Sequence, residues 1–186
     1  MFEQLSQLVQ QFGQEAVVEN NAVPNEQNDA VLEEANNSIF SGLQNILSQS
    51  GGKEKIVELL QGNVTNVASN PVVQQLTEQL SGKLGQKFGL NEAASTGVAG
   101  NLIPNVLSSL VGNAKDPNHK GFEISDIVNA ISGGNGSAGL MESISKYGTQ
   151  FGLDQNADGK LDISDAMAVV EKKGGFGAIL GKLFGK

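Results

Sequence analysis

The stretch LGQKFGLNEAASTGVAGNLIPNVLSSLVG, residues 84–112, is the most informative part of the chain for its fold. Its apolar residues recur at intervals of three and four, which is the spacing of one face of an α-helix. Upstream, Asn70-Pro71 predicts a helix start, because proline suits the first helical turn, and an apolar stripe continues from there to about Phe88. Pro104 lies inside the last helix of the stretch, where we expect a kink.

An earlier segment repeats this pattern. Apolar positions 35, 39, 40, 43, 46 and 47 align with positions 99, 103, 104, 107, 110 and 111. The flanks also agree, since Phe12-Gly13 aligns with Phe88-Gly89 and Asn25-Glu26 with Asn91-Glu92. Any two amphipathic helices share such a stripe, but the matching flanks favour a duplication. We therefore predict two divergent helical units, at about 1–60 and 70–112.

The first unit contains further helix signals. Apolar spacing predicts a first helix that ends near Gly13. Asn25 is the predicted N-cap of a long second helix, which Gly51–Gly52 ends. A short helix follows over 53–61.

This arrangement resembles the YidB-like family of small bacterial helical proteins. Their pattern is L-x3-F-G, then a short helix led by Asn or Asp, then a long Leu/Ile helix, and residues 84–112 carry it here. The resemblance covers the region 1–112. It implies a compact helical fold of homeodomain-like type, and it brings no known activity and no catalytic residue.

Composition excludes several classes of protein. The chain has 186 residues, no Cys and one His, which excludes thiolate zinc sites, iron–sulfur clusters and multi-His metal sites. It has 12 Lys, no Arg and a net charge of −8, which argues against a nucleic-acid partner. Residues 1–113 carry 11 acids and four Lys, so the negative charge is concentrated there.

One loop carries recognisable chemistry. Residues 154–165, DQNADGKLDISD, have oxygen-bearing side chains at positions one, three, five, nine and twelve and glycine at position six. This spacing resembles the EF-hand loop, D-x-[DN]-x-[DN]-G-x5-E, with Asp in place of the final Glu, as in dockerin-type loops. The predicted ligands are Asp154, Asn156, Asp158, Lys160 through its backbone carbonyl, Asp162 and Asp165.

The spacing fits the demands of Ca²⁺, which takes about six to eight oxygens from several directions. Gly159 supplies the sharp turn in the middle of the loop. Four carboxylates in one loop repel one another, so we expect the metal to be coupled to local folding. Asp165 is one methylene shorter than Glu, which makes Mg²⁺ an alternative ion. The alternative without metal is an ordinary Asp/Asn/Gly turn.

Residues 116–126, DPNHKGFEISD, form a degenerate partner loop. Aligned at its end with 154–165, the segment is one residue short, and Lys120 stands near the fifth position. The oxygens of a possible second metal site belong to Asp116, Asn118, Glu123 and Asp126. The alternative is an ion-free loop that supports its partner. We interpret 102–173 as an EF-hand-like pair that shares the helix 102–111 with the preceding region, with 124–131 as the helix leaving the first loop.

The C-terminal segment is a cationic amphipathic tail. Residues 172–186, KKGGFGAILGKLFGK, carry four Lys and no acid, with apolar residues at helical spacing. Packing of the tail, 174–186, on its own domain is one interpretation, and docking to a partner or to a second copy is another. Membrane contact is disfavoured, because the acidic body of the protein would weaken binding to anionic lipid.

The sequence therefore predicts an all-α protein, a helical bundle of two divergent helical units followed by an EF-hand-like pair. The start MFEQLSQLVQQ lacks the features of a secretory signal, so we expect a cytoplasmic protein. No nucleophile–base motif is present, and we expect no enzyme activity. The predicted function is calcium binding, with a mainly structural or modestly regulatory ion. The alternative is an interaction or scaffold protein that assembles through its helical repeats and tail.

Overall fold

The computed structural model describes residues 2–61, 64–115 and 124–133. Within these ranges the regular structure is helical and no strand is present, so the all-α prediction is confirmed there. The α-helices are α1 Phe2–Gly13, α2 Asn28–Ser48, α3 Gly52–Gln61, α4 Pro71–Phe88, α5 Glu92–Lys115 and α6 Ile124–Ile131. Shorter helical turns are π-helical at Gln14–Val18 and 3-10 at Asn25–Gln27 and Val64–Ser69.

The six helices enclose one apolar core. Helix α5 packs against α4 and α1, and α2 packs against α4, α1 and α3. The last described helix, α6, lies against α2 and α5. Buried apolar side chains form a single cluster that extends from Leu5 in α1 to Ile131 in α6. Helices from both sides of the predicted boundary near residue 112 therefore contribute to the same core.

Helices α2 and α4 run antiparallel and approach closely. Leu76 of α4 packs over Gly42 of α2, and a Cβ on Gly42 would overlap the Leu76 side chain. Further along the contact, Glu34 of α2 meets Lys87 of α4. Residue numbers thus rise along α2 as they fall along α4. The absence of a side chain at Gly42 is what allows the leucine to sit against the α2 backbone.

The predicted repeat corresponds to a shared buried stripe. Ile39 of α2 and its aligned residue Ile103 of α5 are both fully buried. The aligned pairs Ala35/Ala99, Leu43/Leu107 and Ile46/Leu110 are buried as well. Helices α2 and α5 therefore turn equivalent faces to the core, while the duplication itself stays a prediction.

The flanks of the repeat differ in structure. Phe88-Gly89 ends α4, with Gly89 left-handed at φ 66° and its N–H donating to the Gly85 carbonyl at 3.1 Å. At the aligned Phe12-Gly13 the backbone stays right-handed, at φ −70°, and the chain continues into the π-helical turn. Only the second Phe-Gly pair is a glycine helix cap.

A helix start at an asparagine was predicted correctly for α4 and wrongly for α2. Helix α4 begins at Pro71 as predicted, and the Asn70 side chain caps it by accepting from the Val72 N–H at 2.9 Å. The expectation that Asn25 caps α2 is wrong, because α2 begins at Asn28. Asn25 instead opens a 3-10 turn directly after Pro24, whose extended backbone stops any earlier helix. At the position aligned with Asn25, Asn91 accepts from the Ala94 N–H at 2.9 Å.

Helix α5 is continuous over 24 residues, although it contains Pro104. The resemblance implied a short helix followed by a long one, and the structure has one helix instead. Proline removes the backbone donor that would bond the Gly100 carbonyl. One residue further on, the Asn105 amide donates to the Asn101 carbonyl at 2.9 Å. Despite this length, no helix in the described ranges is apolar enough to cross a membrane.

We expect opposite effects from alanine at two exposed glycines of α4 and α5. Gly89→Ala should lower the free energy of unfolding by about 1 kcal/mol, because the left-handed cap disfavours a Cβ. Gly97→Ala should raise it by about 0.5–1 kcal/mol, because Gly97 is exposed inside α5 with no atom near its Cβ position. Urea unfolding followed by circular dichroism measures both. Destabilisation by both substitutions would contradict a helix α5 that runs unbroken through Gly97.

Candidate functional site

The loop with the strongest metal pattern lies outside the described residues. None of its predicted ligands is described by the structure. They are Asp154, Asn156, Asp158, Lys160, Asp162 and Asp165. The same is true of Asp116, Asn118 and Glu123 in the degenerate loop, and of the tail 174–186. Of the predicted ligands, the structure describes Asp126 alone.

The helices on either side of the degenerate loop are both described. Helix α5 ends at Lys115, directly before Asp116, and α6 begins at Ile124. The predicted helix 124–131 coincides with α6, and the predicted helix 102–111 is the second half of α5. Residues 116–123 therefore connect two helices that pack against each other. The two helices flank these residues in the order that the predicted first hand requires.

Asp126 lies in the first turn of α6 and is solvent-exposed. A loop that closes around a metal takes its last ligand from the start of the exiting helix, since that carboxylate can turn back toward the loop. Asp126 occupies this position. Its negative charge is also favoured there by the positive end of the helix dipole.

No other group of metal-ligating side chains competes with these loops in the described ranges. Residues 2–61, 64–115 and 124–133 contain no cluster of three or more His, Cys, Asp or Glu side chains that could hold an ion. The acids of α1 and α2 are four: Glu3, Asp29 and Glu33 are exposed at separate positions, and Glu34 is buried.

The most developed charged cluster joins α2 to α4. The Lys87 ammonium donates to Oε2 of Glu34 at 2.6 Å, and Lys83 lies 3.1 Å from Oε1 of the same carboxylate. The Ser38 hydroxyl donates to Oε1 at 3.1 Å and accepts from Lys83 at 3.0 Å. The Glu34 side chain is only 11% exposed, against 40% for Lys83 and 58% for Lys87.

These donors decide the ionisation of Glu34. Burial raises the pKa of its carboxyl, but the hydrogen bonds from Lys87, Lys83 and Ser38, together with the charge of Lys83, outweigh burial and hold the pKa below its usual range. Glu34 is therefore a carboxylate at neutral pH, and both of its oxygens already accept hydrogen bonds. A saturated carboxylate with a lowered pKa is a poor general base, so the cluster serves to join the helices.

This cluster was not predicted from the sequence, although a partial signal was present. Glu34 and Ser38 are four residues apart and lie among the buried apolar residues Val31, Ala35 and Ile39. Lys83 and Lys87 have the same spacing on α4. The i,i+4 pairs were visible, but which helix faces which depends on tertiary packing and could not be read from spacing.

Unpaired buried oxygens also occur on α2 and in the turn before it. The Oδ1 atoms of Asn28 and Asn36 and the Oε1 atom of Gln27 are buried, and no donor in the described part of the chain reaches them. Asn28 and Asn36 are eight residues apart, which is about 12 Å along a helix. They are therefore separate positions and do not form one binding site.

Comparison with known proteins gives no neighbour. No family model, no curated protein and no solved structure has a significant match to the chain. The resemblances to EF-hand loops and to YidB-like proteins therefore stay predictions.

Neutralising Glu34 should destabilise the α2–α4 contact. We expect Glu34→Gln to lower the free energy of unfolding at pH 7 by about 1 kcal/mol, a value reduced by the exposure of both lysines. Because the folded-state pKa is lowered, the stabilisation by Glu34 is present above the unfolded-state pKa, about 4.3. It is lost as the pH falls through the lower folded-state pKa.

The matched control is Glu33→Gln, which removes the same charge from the exposed neighbour on α2. Urea unfolding at pH 7 and near pH 3 measures the free energy of unfolding of both variants. The difference in this free energy between Glu34→Gln and Glu33→Gln should be smaller at the lower pH. Equal stability of the two variants at pH 7 would contradict the role of the cluster.

Proposed function

We propose that this chain is a non-enzymatic, calcium-binding helical protein. Its ion is held by the loop 154–165, and the ion is mainly structural or modestly regulatory. In this proposal the helices over 2–133 form a stable core, and the EF-hand-like pair over 102–173 is continuous with that core through α5.

The observation that carries the proposal is the spacing of oxygens in residues 154–165. Asp154, Asn156 and Asp158 alternate along the chain, so a curved backbone can direct all three side chains toward one centre. Asp162 and Asp165 add carboxylates from the second half of the loop. An all-oxygen donor set with four negative charges favours a hard divalent cation, Ca²⁺ or Mg²⁺, over a transition metal.

The described helices support the proposal at the first loop. Helix α5, residues 116–123 and helix α6 follow one another as a hand requires, and Asp126 lies at the start of the exiting helix. In the proposed pair, loop 116–126 supports its partner without a high-affinity ion, because it is one residue short and carries Lys120. A weaker second site at Asp116, Asn118, Glu123 and Asp126 is the other outcome.

A second candidate function is assembly. The tail 174–186 is cationic and amphipathic, whereas residues 1–52 contain seven acids and no lysine. Such opposite charges favour association within the chain or between copies. In that case the protein is a scaffold, and any bound ion is incidental to its role.

Calorimetric titration of the metal-stripped full chain with Ca²⁺, and separately with Mg²⁺, tests the proposed function. We expect one site of micromolar or better affinity for Ca²⁺ and weaker binding of Mg²⁺. The double substitution Asp154→Ala/Asp158→Ala should abolish the heat of binding. A matched control is Asp29→Ala/Glu33→Ala, which removes two exposed acids from α2 and should leave binding intact.

Size-exclusion chromatography with light scattering on the same samples separates the two candidate functions. A monomer that binds one Ca²⁺ supports the calcium protein with a structural ion. Self-association that is independent of Ca²⁺ and lost on deletion of 174–186 favours the scaffold. If neither heat nor a change in melting temperature accompanies Ca²⁺, the loop is a metal-free turn and the proposal is wrong.

A further inference from the structure

We draw no further inference here: the strongest candidate, the exposed face of helix α5 that presents Ala93, Gly97, Gly100, Asn101 and Asn105, is a stripe of small uncharged residues, and nothing in the structure shows what covers it.

Discussion

The rest of the structure depends on the burial of helix α5. Ten of its side chains are buried, and they face α4 and α1, the 3-10 turn before α4 and the π-helical turn after α1. These side chains form one broad apolar face, which the neighbouring elements cover, while Gly97, Asn101 and Asn105 stay exposed on the opposite face. Helix α2 reaches the same core through α4 and α1. Because α5 also leads directly into residue 116, the packing of this helix determines where the first candidate loop begins.

Local signals in the sequence were sufficient for much of the fold. Asn70-Pro71 predicted the start of α4, and the alignment of 116–126 with 154–165 predicted a helix over 124–131, which are the bounds of α6. Both signals are local, proline in a first helical turn in one case and the spacing of a short loop in the other. The prediction that Asn25 caps α2 was wrong because asparagine begins turns as readily as it caps helices, and the adjacent Pro24 favoured the turn. A helix through Pro104 was predicted, but the resemblance implied a short helix before it, and the structure joins the two in one helix, Glu92–Lys115.

The candidate sites also differ in whether they are formed by neighbouring residues or by distant helices. An EF-hand-like loop is a local pattern, since all of its proposed ligands lie within twelve residues, so it can be predicted from sequence alone, and it stays a prediction. The Glu34 cluster could not be predicted similarly, because its carboxylate and its two lysines are 49 and 53 residues apart and meet only when α2 and α4 pack together. Spacing within a helix shows which side chains share a face. It does not show which face of another helix they meet.

The same cluster selects one register between α2 and α4. Leu76, Leu80 and Leu84 repeat every four residues along α4, so a shift by four residues, about 6 Å, would again place leucines at two of these three positions. Glu34 would then lose one of its two lysines, and its buried charge would be less well neutralised. The apolar stripe alone therefore distinguishes these alignments less sharply than the charged cluster does. A single carboxylate between two lysines one turn apart distinguishes the native alignment from its shifted copies.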